Sequence, residues 1–258
     1  MTDPKRSVGF PDVTWPTPVV TVGFNGGNPS LYALIEATAA EWTANGGRLQ
    51  FSFRHSDGTY RTWSEIDIKP AADIRIGFFT DQPRNGYWSA VGTLARRINA
   101  SEATMNFGNL GTTLSQYYQG ANIAGWNQSY AHGTVLHEFG HAIGLNHEHF
   151  HPECQADLKL EEAVAWLMGK PNRWTYDQAM FNMDATTYFK AMATQTGPRP
   201  LSITAKTDQA SVMLYSFSDS FYKSGTKSPC RPSEPLHYAS ALSLDDRLYY
   251  SANYGDAK

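Results

Sequence analysis

Apolar residues recur along this chain in two periods, and the switches between them outline its elements. Val19-Val20-Thr21-Val22-Gly23-Phe24 reads as a first strand. Asn28-Pro29 has the form of a helix N-cap followed by proline at the first helical position. Leu31, Leu34, Ile35 and Trp42 give that helix an apolar face, and Gly46-Gly47 ends it. Leu49, Phe51 and Phe53 then alternate with Arg48, Gln50, Ser52 and Arg54, the period of a half-buried strand. Ile74, Ile76 and Phe78 alternate in the same way, and Tyr87 to Gly92 and Ala103 to Phe107 supply two more strands. Past residue 150 the character changes. Leu160, Ala163, Val164 and Leu167 mark an amphipathic helix closed by Gly169 and Pro171. Trp174 to Thr207 reads as irregular structure with short helices, and Ser216 to Pro235 as a Ser/Pro-rich loop. Leu242-Ser243-Leu244-Asp245-Asp246 begins a last helix running through Tyr249-Tyr250.

Composition narrows the class. At 258 residues the chain can bury a sizeable core, as one domain or two subdomains flanking a cleft. Charged residues at 17% and aromatics at 13% mark a globular rather than a disordered chain. A net charge of −3 without a basic run argues against nucleic acid as a partner. No stretch approaches the roughly 18 apolar residues of a membrane span. Met1 to Val13 is polar and shows no apolar segment of a secretory signal.

One stretch carries the chemistry. Val135-Leu136-His137-Glu138-Phe139-Gly140-His141-Ala142-Ile143-Gly144-Leu145-Asn146-His147 contains H-E-x-x-H-x-x-G-x-x-H. Residues four apart share a helix face, so His137 and His141 can bind one metal ion. Zn²⁺ suits imidazole, and three protein ligands with an open position is its catalytic arrangement. Glu138 can face that open position and take a proton from bound water. His147, six residues past His141, would be carried away by a continuing helix, so Gly144 is expected to end the helix and turn the chain back. Chance matching of the fixed positions is on the order of 10⁻⁷ per start. The competing readings are a helix that merely carries histidines and a structural zinc site, and the latter has no use for Glu138.

With its later companion Ser211-Val212-Met213-Leu214-Tyr215, this motif resembles the metzincin clan of zinc endopeptidases. The S-x-M-x-Y turn and Glu148 are similar to the astacin-like branch, while Ala72-Asp73-Ile74-Arg75-Ile76 is similar to a strand of matrixins and of bacterial and fungal relatives. The resemblance implies an α+β zincin-like fold. Its upper subdomain, about 15–146, would hold a mixed twisted sheet and two main helices. Its lower subdomain, about 147–258, would be irregular and mostly helical, and residues 1–14 would form an N-terminal extension. It further implies that Met213 lies beneath the zinc and that Tyr215 ligates it at rest and donates to the oxyanion during reaction. Glu148 would receive the new N-terminus after propeptide removal or, given the residues before Trp15, hydrogen-bond behind the ligands. Trp88-Ser89-Ala90-Val91-Gly92 is the expected edge that takes an extended peptide by backbone pairing, the alternative being that Trp88 packs into the core. In relatives the segment after the Met-turn, here Ser216 to Tyr222, walls a pocket on the leaving side of the scissile bond.

The remaining chemistry-bearing residues read more plainly. Cys154 and Cys230, the only cysteines, are expected to form a disulfide, two buried thiols being the alternative. His132 lies about 140° around the helix from His137 and points elsewhere. His149 and His151 could replace a ligand but are expected not to, and His55 and His237 have no partner pattern. The expectation is a monomeric, secreted zinc protease acting on protein or peptide. A narrow-range effector cutting a single protein shares every site residue, and a non-catalytic zinc protein is the other alternative.

Overall fold

The computed structural model describes residues 7–44, 46–110, 123–170, 172–233 and 240–255. Its sheet is five-stranded, in the order β2-β1-β3-β5-β4. The strands are β1 (Val19–Asn25), β2 (Gln50–Ser52), β3 (Ile74–Gly77), β4 (Tyr87–Ser89) and β5 (Met105–Phe107). All pairings are parallel except β4 with β5, where Tyr87 faces Phe107 and Ser89 faces Met105. Among the described residues β4 is therefore an edge strand, as the resemblance implied for this segment. It is shorter than Tyr87 to Gly92, because the backbone turns at Val91 into a 3₁₀ helix over Gly92–Arg97. Gly92 allows that turn: its φ is +51°, and a Cβ there would sit 2.1 Å from the Val13 carbonyl oxygen.

Helix α1 (Pro29–Thr43) starts where the proline signal placed it, with the Asn28 side chain accepting from the Leu31 amide. It buries Leu31, Ile35 and Trp42 against the sheet and the histidine-bearing helix. After α2 (Ile123–Asn127), that helix, α3 (Tyr130–Ala142), is buried from Ala131 through Ala142. Its carbonyls are met by aromatic donors. Trp42 Nε1 donates to Leu136 and Trp15 Nε1 to Ala142, and the Tyr254 hydroxyl donates to Ile143 just beyond. Burial on all sides with satisfied carbonyls makes α3 a rigid post.

The lower part is helical. α4 (Pro152–Asp157), α5 (Leu160–Met168), α6 (Tyr176–Met183), α7 (Ala185–Thr196) and α8 (Leu244–Tyr254) follow in order. α6 and α7 are more regular than the irregular structure read from Trp174 to Thr207. Their apolar stripes are sparse, but their starts are well capped: Thr175 and Gln178 form a capping box, and Asp184 accepts from the Thr187 amide. α8 begins one residue past its N-cap Ser243 and buries Tyr249, Tyr250 and Tyr254. Pro171 and His237 lie outside the described residues. Cys154 and Cys230 are disulfide-bonded, closing a 76-residue separation within the lower apolar cluster.

Residues 7–14 pack between the two halves rather than beside them. Val8, Phe10 and Val13 are buried, Gly9 bridges to Leu145 and Ser202, and the Phe10 amide donates to the Gly144 carbonyl. No helix among the described residues is long and apolar enough to cross a membrane.

Candidate active site

α3 ends at Ala142, and Gly144, with φ +106°, reverses the chain. The reversal places the Leu145 carbonyl 2.8 Å from His141 Nδ1 and brings His147 beside His141. The Val212 carbonyl lies 2.8 Å from His137 Nδ1. A carbonyl can only accept, so both Nδ1 atoms carry the proton, which leaves each Nε2 as the lone-pair atom able to ligate a metal. The ligand atoms of His137, His141 and His147 all lie within 4.8 Å of one another. Two Zn–N bonds at tetrahedral angle place their nitrogens about 3.3 Å apart; His141 Nε2 and His147 Nε2 are 3.1 Å apart. Burial is the main cause that holds all three imidazoles below their usual pKa, His141 at about 4 and the other two well below the ordinary histidine value. They are neutral at neutral pH, the form that ligates a metal. Donor set, spacing and protonation all fit zinc.

Glu138, one residue past the first ligand, is also buried, and its Oε2 has no hydrogen-bond partner. Burial pushes its carboxyl well above the ordinary range. Tyr215 lies across the cluster, its ring centroid 4.3 Å from that of His147 and 5.7 Å from that of His137. Burial, and secondarily the Glu138 charge, raise the Tyr215 phenol above its usual value, which keeps it a donor. Met213 is fully buried, its sulfur against Gly140 of α3.

Behind the ligands lies a set of contacts that the motif alone does not show. Asp246, on α8, accepts from Ser211 Oγ at 2.7 Å, the Val212 amide at 3.1 Å and the Ser243 amide at 3.0 Å. It holds the residue, Val212, whose carbonyl orients His137. The Glu148 carboxylate accepts from the Val8 amide at 3.2 Å and the Asp208 amide at 3.0 Å, tying the first described residues to the approach of the Met-turn. Burial raises its carboxyl to about 8, against the pull of those two amides. Asn106 donates to the carbonyls of Phe79, Arg84 and Gly86 and accepts from the Phe79 amide, which shapes the loop entering β4. Asp246 stands in the Leu242–Asp246 helix start, so the capping pattern was its one visible signal. Asn106 had none.

The other described histidines stay out of the cluster. His132 Nε2 meets Glu41 at 2.6 Å, His149 Nε2 donates to the Asn182 carbonyl at 2.8 Å, and His151 Nε2 to that of Thr204 at 3.1 Å. His55 Nδ1 faces Arg61 at the surface.

A cleft cavity of about 140 Å³ opens beside the three histidines. Its upper rim is Tyr87, Trp88, Ser89 and Val91; its lower wall is Phe181, Asn182, Tyr188 and Tyr215, with Glu138, His141 and His147 at its base. Trp88 is half-buried on this rim, its Nε1 donating to the Arg84 carbonyl, rather than fully in the core. Ala90 continues the pairing through its amide to the Thr104 carbonyl, and Gly92 lies beyond the rim in the 3₁₀ helix. Ser216 to Asp219 with Arg231 and Pro232 line a separate polar pocket.

A buried zinc-motif helix, a glycine turn, a Met-turn floor and an antiparallel edge strand above them define the class. The chain's fold and its histidine triad match the astacin-like zincin type. No protein-family model matches its sequence, and no curated protein does. Among solved structures it is similar to myroilysin, with a TM-score of 0.67 and 26% identity over 98% of this chain and 100% of that one. A second structure of myroilysin aligns with a TM-score of 0.54 and 25% identity over 95% of this chain and 86% of the other. The hatching enzyme zinc-protease high choriolytic enzyme 1 of the medaka fish Oryzias latipes aligns with a TM-score of 0.46 and 13% identity over 95% and 96%.

Proposed function

We propose that this chain is a zinc endopeptidase, a monomer that hydrolyses peptide bonds in extended protein or peptide substrates. The observation that carries the reading is Glu138: a buried carboxylate with an unpartnered oxygen at the base of the cleft, beside three neutral imidazoles. A structural metal site has no use for such a group. His137, His141 and His147 would hold the zinc, which when bound supplies Lewis acidity, activating water and polarising the scissile carbonyl. Glu138 accepts the proton of the attacking water and delivers it to the leaving amine. A dication among the imidazoles favours the ionised carboxylate and so opposes the effect of burial. The Tyr215 phenol donates to the carbonyl oxygen as it gains negative charge. The free edge of β4 pairs with the substrate backbone and holds it in line. The disulfide suits an oxidising compartment, and we assign the protein to the extracellular side on that ground.

The test is cleavage of a mixed peptide library by zinc-loaded protein, compared with Glu138→Gln. The variant should retain about one zinc per chain and lose at least about 10²-fold in rate, the low end for loss of a general base. Equal rates overturn the assignment. A broad profile marks a general protease, and a single product among whole proteins marks a narrow effector.

A further inference from the structure

The cleft is not open equally at its two ends. At one end Val91 of the upper rim belongs to the same apolar cluster as Tyr188 and Phe181 of the lower helices, so the two halves of the molecule meet there. The α6–α7 hairpin that supplies Phe181 and Tyr188 is fastened to the zinc loop on both sides of His147. Tyr188 Oη donates to Asn146 Oδ1 at 2.6 Å, one residue before the ligand. His149 Nε2 donates to the Asn182 carbonyl at 2.8 Å, two residues after it. Gln155 adds a third fastening, donating to the carbonyls of His149 and Met183 and accepting from the Ala185 amide. A wall held at both flanks of a ligand does not swing away when substrate enters.

The surface this wall presents is mainly apolar, with Asn182 as its amide side chain. Phe181, Tyr188 and Val91 face the cavity, while the Tyr188 hydroxyl is turned away and satisfied. Among the described residues no Lys or Arg lines it, and the carboxylate at its base is Glu138, which the reaction uses. A closed apolar cavity of about 150 Å³ holds one benzene-sized group. This cleft, at about 140 Å³, must also seat the reacting carbonyl. Room remains for one medium-sized side chain. A charged side chain there would lose its hydration with no partner to replace it.

We infer that the α6–α7 hairpin, through Phe181 and Tyr188 facing Val91, forms a specificity subsite that takes one medium-sized aliphatic side chain next to the scissile bond. The inference rests on the peptidase reading. Phe181 is the residue to change, since it is half-buried and holds no hydrogen bond of the wall.

The experiment profiles kcat/KM over peptides varied one position at a time on either side of the scissile bond. Zinc-loaded wild type, Phe181→Ala and Phe181→Asp are compared, with zinc content measured for each. The wild type should prefer Leu or Val over Asp, Glu and Lys by at least about tenfold at one flanking position. Phe181→Ala should shift that same position toward bulkier side chains, and Phe181→Asp should raise Lys and Arg there, with other positions unmoved. A flat wild-type profile, or a preference that neither variant moves, overturns the subsite and leaves the peptidase reading standing. Absence of any cleavage by zinc-loaded wild type overturns both. If Phe181→Asp does not fold, Phe181→Ala alone decides.

Discussion

Gly144→Ala tests whether the turn after α3 is what completes the zinc site. Two penalties act, and they have the same sign. Gly144 has φ +106°, where an L side chain is strained by about 1–2 kcal/mol. The added Cβ would also lie 2.7 Å from the Tyr249 hydroxyl and 3.2 Å from the Phe10 carbonyl oxygen. Tyr249 is fully buried on α8, and the Phe10 segment is held by the hydrogen bond its amide donates to the Gly144 carbonyl, so neither yields freely. Overpacking of this kind costs about 1–3 kcal/mol. The expected loss is therefore about 2–5 kcal/mol in urea unfolding of the metal-free protein. A second readout separates the site from the fold. The turn carries the Leu145 carbonyl that orients His141 and the chain that delivers His147, so zinc affinity should fall about 10–100-fold, measured by competition with a chelator. A variant within about 0.5 kcal/mol of wild type, a typical surface change, and with unchanged zinc affinity would refute both the strain and the role of the turn.

Tyr215→Phe removes a donor proposed to act in the transition state, so kcat should drop on the order of 10²-fold with KM little changed and zinc retained; wild-type kcat would leave the ring as packing alone. Reducing the Cys154–Cys230 bond, which spans 76 residues, should lower unfolding free energy by about 4 kcal/mol in the chain-entropy model, and equal urea midpoints with and without reductant would contradict this. Asn106→Ala strips the carbonyls of Phe79 and Arg84 of their side-chain donor and should cost about 2–3 kcal/mol. It should also raise KM by loosening β4; unchanged KM with lowered stability would place Asn106 in the fold only.

The residues legible in advance are those whose job is fixed by local geometry. His137 and His141 are set by helical period, Gly144 by the need to reverse a chain, and the start of α1 by Asn28-Pro29; each needs only a few neighbouring positions to be understood. The pattern over Trp174 to Thr207 gives short helices without their bounds, because α6 and α7 owe little to amphipathic pattern and much to caps and to distant tethers such as Tyr188 to Asn146. Long-range hydrogen bonds leave no period in the sequence. The same reason hid Asp246 and Asn106, whose partners are main-chain groups, and every residue has main-chain groups, so no side-chain pattern marks them. The rim was read too long for a related cause. Tyr87, Trp88 and Val91 carry strand-like side chains, but pairing stops where Gly92 meets the Val13 carbonyl, an approach set by a segment about eighty residues away in the chain. The ligands could thus be read locally, whereas the groups that orient them, and the wall that faces the substrate, exist only after the chain has closed on itself. Residues of that second kind are the ones in which two proteins with the same zinc motif can differ, and Phe181 is one of them.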